Sequence, residues 1–160
     1  MNSTIERISH LSVADVMTPR VICVPGNSTM AEAADLLCEY RISGAPVIDE
    51  QGKCIGVLSG TDFIHSKAEE LDCSDRVKHL LTTHDPSGLF YIEHVQHDLV
   101  RQHMSPAVQT IDHSATLLRA AKCMSQEHLH RLIVLDEHSV PVGILTSIDL
   151  VTTLVKALEE

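Results

Sequence analysis

The sequence predicts an α+β protein made of two copies of a β-α-β-β-α unit. Three observations carry that prediction. First, Gly56-Val57-Leu58-Ser59-Gly60-Thr61-Asp62 returns as Gly143-Ile144-Leu145-Thr146-Ser147-Ile148-Asp149. Second, the same offset carries Met17-Thr18-Pro19 onto Met104-Ser105-Pro106, and Val47-Ile48-Asp49-Glu50 onto Val134-Leu135-Asp136-Glu137, with no gap from Met17 to Phe63. Self-similarity at a fixed spacing marks a repeated structural unit. Third, each copy alternates short apolar runs of strand length with one stretch of helical periodicity.

The elements follow in order. Residues 1–11 form a lead-in in which Ile5, Ile8 and Leu11 recur at helical spacing. Ser12-x-x-Asp15 resembles a capping signature that opens a short helix before Met17-Thr18-Pro19. Val21 to Val24 is a short strand. Pro25-Gly26-Asn27-Ser28 is a turn, with Asn27 or Ser28 as the cap of a helix whose buried stripe is Met30, Ala33, Ala34, Leu37 and Cys38. Ser43-Gly44 breaks that helix. Ala45 to Ile48 and Ile55 to Leu58 are strands joined by a hairpin turn at Asp49-Glu50-Gln51-Gly52. Ser59-Gly60-Thr61-Asp62 opens a helix running to about Glu70.

The second copy repeats this order. Val108 to Ile111 is a strand, and Ser114 caps a helix carrying Leu117, Leu118, Ala121 and Met124. Leu132 to Leu135 and Val142 to Leu145 flank a turn at Asp136 to Ser139, and Ser147 to Leu158 is the last helix. The predicted organisation is a lead-in over 1–11, repeat 1 over 12–66, a linker over 67–98 and repeat 2 over 99–160. Within the linker, Asp75 to Leu81 reads as a helix and Leu89 to Ile92 as a strand. Each repeat is too small to bury a good core alone, so the halves are expected to share one.

Composition narrows the function. The formal net charge of −10 argues against a general nucleic-acid surface or an anionic membrane surface. Apolar residues make up 44% of the chain but aromatics only 2%, so the core must be aliphatic. Any nucleobase would lie between aliphatic side chains and backbone. The 5 cysteines include no C-x-x-C pair, which points to reduced thiols and a cytoplasmic location. No apolar run approaches a membrane span, and the start of the chain lacks the long apolar stretch of a signal peptide. Among 11 histidines the closest spacings are His94-x-x-His97 and His128-x-His130. Neither comes with Cys or carboxylate partners in a zinc pattern, so no metal site is predicted.

The chemistry lies at the two Gly-h-h-[Ser/Thr]-x-x-Asp endings. The glycine permits close backbone approach. The hydroxyl sits where the free N–H groups and the dipole of a helix favour an anion. One turn on, the carboxylate points to the same side. A carboxylate accepting two hydrogen bonds suits a ribose diol, and a hydroxyl on a helix N-terminus suits a phosphate. The same residues also satisfy an ordinary helix-capping pattern, so both readings stand at this point.

The ordered set of motifs resembles a tandem pair of cystathionine-β-synthase (CBS) domains, a Bateman module, over about residues 12–66 and 99–157. The carriers are the Met-[Thr/Ser]-Pro entries, the Ala45-Pro46-Val47-Ile48-Asp49 strand and the two Gly-h-h-[Ser/Thr]-x-x-Asp endings. The resemblance implies two β-α-β-β-α units related by a pseudo-twofold axis, with two ligand clefts between them. It implies a non-catalytic sensor that binds an adenosine-containing ligand, AMP or ATP first and S-adenosylmethionine or NAD as alternatives. A protein-interaction module with no small ligand is a further alternative. Carried over position by position, Asp62 and Asp149 would take ribose, Ser59 and Thr146 phosphate, and Val21 and Val108 the base, with Pro46 and Val47 as further ligand-binding positions. The resemblance also implies a homodimer, for which Phe63/Ile64 and Leu150/Leu154 offer apolar faces, and an unidentified regulated partner.

The repeats differ at one informative place. His130-Arg131 aligns with Ser43-Gly44. His-Arg at this position resembles the phosphate-contacting pair in the γ subunit of AMP-activated protein kinase, and the guanidinium supplies a permanently charged fork for phosphate oxygens. A solvated pair at a helix end is the other reading of these two residues. The two sites are therefore expected to be unequal. No nucleophile–base constellation is present that would suggest an enzyme.

Overall fold

The computed structural model describes residues 10–68 and 98–159. After a 3-10 turn at Val13–Asp15, the first repeat runs β1 (Thr18–Pro19), β2 (Val24–Pro25), α1 (Met30–Glu39), β3 (Gly44–Ile48), β4 (Cys54–Ser59) and α2 (Gly60–Ala68). The second runs α3 (Val100–His103), β5 (Thr110–Asp112), α4 (Leu117–Gln126), β6 (Arg131–Leu135), β7 (Pro141–Thr146) and α5 (Ser147–Glu159). Leaving out the entry segments, each copy has the expected β-α-β-β-α order. The lead-in helix before residue 10, the helix and strand expected within 75–92 and the His94/His97 pair lie outside the described residues.

The chain divides into two compact units, and their membership is not that of the sequence repeats. Of the described residues, those within Cys23–Glu50 and Ile55–Ala107 form one unit, and those up to Ile22, in Gln51–Cys54 and within Val108–Glu160 form the other. Each Met-[Thr/Ser]-Pro entry thus belongs to the unit formed by the strands of the other repeat. The hydrogen bonds that hold it are equivalent in the two units. Val13 N–H donates to Ala115 O at 2.8 Å, Ala14 N–H to His113 O at 3.0 Å, and Leu117 N–H to Leu11 O at 2.9 Å. Val100 N–H donates to Ser28 O at 2.9 Å, Arg101 N–H to Gly26 O at 3.0 Å, and Met30 N–H to Asp98 O at 2.8 Å. The borrowed segment therefore satisfies the first amide of α1 or α4, a group a helix cannot satisfy internally.

One unit contains a three-stranded sheet in the order β2-β3-β4, with β2 parallel to β3. The other contains a four-stranded sheet in the order β1-β7-β6-β5. There β5 runs parallel to β6, and β7 pairs antiparallel with both β6 and β1. The buried clusters are aliphatic, as the scarcity of rings implied. One gathers Val24, Met30, Ala33, Leu37, Ala45, Val47, Leu58 and the entry residue Val100. The other gathers Ile111, Ala115, Leu117, Ala120, Met124, Leu132, Val134, Leu145 and the entry residue Val13.

Several local expectations are corrected. The helix caps are Thr29 and Thr116, whose hydroxyls accept from Glu32 and Arg119 N–H. Asn27, Ser28 and Ser114 are not caps; Ser114 instead donates to Asp112. The first strands are shorter and start later than read, at Val24 and Thr110. Helix α1 ends not at Ser43-Gly44 but through Arg41, which takes a left-handed φ of 53°, as its counterpart His128 does at 54°. The buried stripe of α4 is Leu117, Ala120 and Met124, with Leu118 55% exposed. Cys38 is exposed on α1. The Ser12–Asp15 cap is as read: Asp15 Oδ2 accepts from Ser12 N–H at 2.8 Å and from its hydroxyl at 2.6 Å.

Leu132→Ala should destabilise the protein by about 2–5 kcal/mol, because it leaves a hole in a closed core. Leu118→Ala should cost within about 0.5 kcal/mol. Urea titration of both variants checks the assignment; equal losses would contradict it. Acid stability has a definite sign. The Ser12 hydroxyl holds the Asp15 carboxyl below its usual range, the Ser114 hydroxyl does so for Asp112, and the Val140 amide for Asp136. A depressed folded pKa gives stability that is present above the ordinary carboxylate value and lost as pH falls through the folded one. The melting temperature should therefore be insensitive to these groups near neutrality and fall below about pH 4. In a variant with all three replaced by Asn, that acid limb should be flatter in a thermal melt series.

Candidate functional site

Each strand ending runs straight into its helix, β4 into α2 and β7 into α5. At the second ending, Asp149 Oδ2 accepts from Thr146 N–H at 2.8 Å and from Thr146 Oγ1 at 2.6 Å, while Thr146 Oγ1 accepts from Asp149 N–H at 3.3 Å. At the first, Asp62 Oδ2 accepts from Ser59 N–H at 2.6 Å and from Ser59 Oγ at 2.8 Å. The capping geometry left open by the sequence is thus realised in both copies. All four side chains are half-buried. Each carboxylate uses only Oδ2 on its own cap.

The glycines of the motif have a structural reason. A Cβ at Gly56 would lie 2.5 Å from Met104 Sδ and 3.0 Å from Ser105 O. One at Gly143 would lie 2.5 Å from Met17 Sδ and 2.8 Å from Thr18 O. The close approach is made by the entry segment of the other repeat. Ser105 pairs with Val57 through two backbone hydrogen bonds of 3.0 Å, and Thr18 pairs with Ile144 in β1/β7.

His130 and Arg131 sit beside the second ending. Arg131 and Thr146 are directly opposed in the antiparallel β6/β7 pair, so their side chains leave the same face of the sheet. His130 O accepts from Ser147 N–H at 3.0 Å, which ties this pair of residues to the first turn of α5. Both side chains are exposed, and no carboxylate among the described residues pairs with the guanidinium. The first repeat has the same backbone bond, Gly60 N–H to Ser43 O at 3.1 Å. It has no room for a side chain at the arginine position: a Cβ on Gly44 would lie 2.7 Å from Leu58 O.

The remaining predicted residues are distributed as follows. Val21 and Val108 are half-buried and belong to the same unit as Thr146, Asp149 and Arg131. Pro46 and Val47 are fully buried in the other unit, Val47 within its apolar cluster. Two residues of interest were not assigned a role from sequence. Arg20, between Pro19 and Val21, holds a left-handed φ of 61°, a strained conformation for a long side chain. Ser105 donates to Asp62 Oδ1 at 3.1 Å. The signal for Ser105 was present, since the entry motifs differ there, Thr18 against Ser105.

A cleft of about 390 Å³ lies elsewhere, at the C-terminal ends of β5 and β6, lined by Asp112, Arg119, Cys123, Asp136, Glu137 and Ser139 among others. Three carboxylates against one guanidinium make it a poor phosphate site. Among the described residues no group of His, Cys, Asp or Glu is arranged to hold a metal ion. No helix among them is long and apolar enough to cross a membrane.

The family model of the CBS domain matches twice, at residues 13–69 and 100–156. The chain belongs to the CBS domain family and carries the domain in tandem. Among curated relatives, an uncharacterized protein of Methanocaldococcus jannaschii is 30% identical over 146 residues, a match covering 91% of this chain and 40% of that protein. The chloroplastic CBS domain-containing protein CBSX1 of Arabidopsis thaliana is 30% identical over 154 residues, covering 91% of this chain and 64% of its own length. The chain therefore spans less than two thirds of either relative. Among solved structures, CBSX2 in complex with AMP is 26% identical, with a TM-score of 0.67, covering 93% of this chain and 98% of that one.

Proposed function

We propose that this chain is a non-catalytic cytoplasmic sensor that binds an adenine nucleotide, AMP or ATP, and passes its occupancy to a protein partner. The observation that carries the reading is the second strand ending of a tandem CBS chain. There a carboxylate with one oxygen free of its cap, a helix N-terminus and a guanidinium that no carboxylate among the described residues pairs with lie at one end of the β6/β7 pair. Its similarity to an AMP-bound CBS-pair protein supports the choice of ligand. In this reading Asp149 and Asp62 accept ribose hydroxyls, and Thr146 and Ser59 turn from their caps toward phosphate. Arg131, with His130, supplies the positive charge, and Val21 and Val108, half-buried in the same unit, make aliphatic surroundings for the base; Pro46 and Val47 are fully buried and present no side chain to a ligand.

Calorimetry with AMP, ATP and adenosine tests the central role. Arg131→Ala should weaken both nucleotides by roughly tenfold or more, the scale of a charge-assisted hydrogen bond. It should weaken adenosine by less than twofold. Equal losses for all three ligands would remove Arg131 from the phosphate site. A thermal-shift panel adding S-adenosylmethionine and NAD separates the adenosyl alternatives, because a ligand at 100 times its Kd adds about 2.7 kcal/mol.

A second reading, an interaction module without a small ligand, is favoured by the caps themselves, since both carboxylates already serve their own helices. It requires no thermal shift with any adenosyl compound and unchanged partner binding in Asp62→Ala and Asp149→Ala.

We also infer a homodimer. Of the faces expected from sequence, Phe63 and Leu150 pack inward against the cores. The exposed apolar stripe is on α5: Ile148, Val151, Leu154, Val155 and Leu158, the last 70% exposed. An apolar stripe of this length on one helix is a surface for another protein. Light scattering should give a dimer at micromolar concentration and a monomer for a Val151→Glu/Leu158→Glu double variant. A wild-type monomer would count against the inference.

A further inference from the structure

We infer that Ser105 holds the first strand ending closed to a ribose, so that the two endings differ in affinity for the sugar as well as for the phosphate. The inference rests on the adenosyl-binding reading above and specifies how one of its two sites is regulated.

The count of hydrogen bonds carries it. A carboxylate offers about four lone-pair sites, two on each oxygen. At Asp149, Oδ2 takes two donors from Thr146, and Oδ1 takes none among the described residues. Both lone pairs of that oxygen are open to a vicinal diol. At Asp62, Oδ2 takes the same two donors from Ser59, and Oδ1 takes a third from Ser105 Oγ at 3.1 Å. One lone pair remains for a ligand that brings two hydroxyls. The Ser105 hydroxyl stands where a ribose hydroxyl would donate.

Ser105 cannot simply drift away. Its N–H and C=O both bond to Val57 at 3.0 Å, and Met104, capped by Val100 O at 2.8 Å, lies against Gly56. Release of Asp62 therefore requires rotation of the hydroxyl alone, with the backbone fixed. Thr18 has the same backbone pairing, opposite Ile144, yet makes no bond to Asp149. The difference between the endings thus lies in one side chain, Ser against Thr, on otherwise equivalent frames.

The test is calorimetry of adenosine binding to the whole chain, which avoids the phosphate contribution of Arg131. The wild type should show a tighter site abolished by Asp149→Ala and a weaker or undetected site that depends on Asp62. Ser105→Ala should tighten the Asp62-dependent site by about tenfold, the scale of a hydrogen bond to a charged group. It should leave the Asp149-dependent site within twofold. The gain should vanish with 2′,3′-dideoxyadenosine, which has no diol to donate. Ser105→Thr, which copies the second repeat, should give a gain in the same direction and guards against an effect of truncation. Binding in which Ser105→Ala leaves the ratio of the two affinities unchanged, or weakens the Asp62-dependent site, would overturn the role of Ser105 while leaving the adenosyl reading intact. Absence of adenosine binding in the wild type and in both variants would overturn that reading and this inference together.

Discussion

The close approach of each entry methionine to the glycine of the partner repeat's last strand is the contact on which the rest depends. Met17 lies against Gly143 and Met104 against Gly56, at distances that leave no space for a Cβ. This approach lets Thr18 and Ser105 pair with β7 and β4, and it draws Val13 and Val100 into the opposite cores. It also accounts for how repeats of this size obtain a core. A sheet of two or three short strands and one helix buries little surface. A segment borrowed from the other copy adds a buried valine, an extra strand pairing and a partner for an orphan helix amide.

The same contact sets the chemistry. The entry segment delivers residue 18 or 105 to the edge of the strand whose end carries the hydroxyl and the carboxylate. Whether that residue engages the carboxylate then changes what the carboxylate has left to offer. At Asp149 no described residue donates to Oδ1; at Asp62 Ser105 does. A similar economy operates across the β6/β7 pair. Arg131 opposes Thr146 because the register puts it there, and Gly44 takes the same place in the first repeat because the Leu58 carbonyl is too near for any side chain. The asymmetry is therefore built into backbone spacing as well as residue identity. Arginine at position 44 would need the strand to move.

The fold was largely legible. The β-α-β-β-α order followed from periodicity and from the repetition of motifs at a fixed offset, and the aliphatic core from the scarcity of rings. Errors fell where local chemistry admits close alternatives. Thr29 and Thr116 displaced nearby Ser and Asn residues as caps because their hydroxyls face the amides of Glu32 and Arg119. Leu118 was placed in the core, although the repeat itself aligns Ala120 with Ala33 and so points to the correct stripe. The helix C-termini ended on Arg41 and His128 in left-handed conformations, which residue type does not signal. The candidate site could be read from sequence as residues and not as bonds, and Pro46 and Val47 proved to be core: capping and ribose binding call for the same residues at the same spacing, and only coordinates say which oxygen is occupied.

The sequence by itself determined that the chain is a tandem repeat, which family it belongs to, and that its two strand endings differ at 130–131. These are properties of residue order, and duplication preserves order. Tertiary structure alone decided that the entry segments are exchanged between repeats, because hydrogen-bond pairing over long sequence separations leaves no local trace. It also decided that Asp62 and Asp149, identical in motif, are unequal in what they hold. A single hydroxyl, brought in from 43 residues away, makes that difference, and its reach depends on the fold that places it.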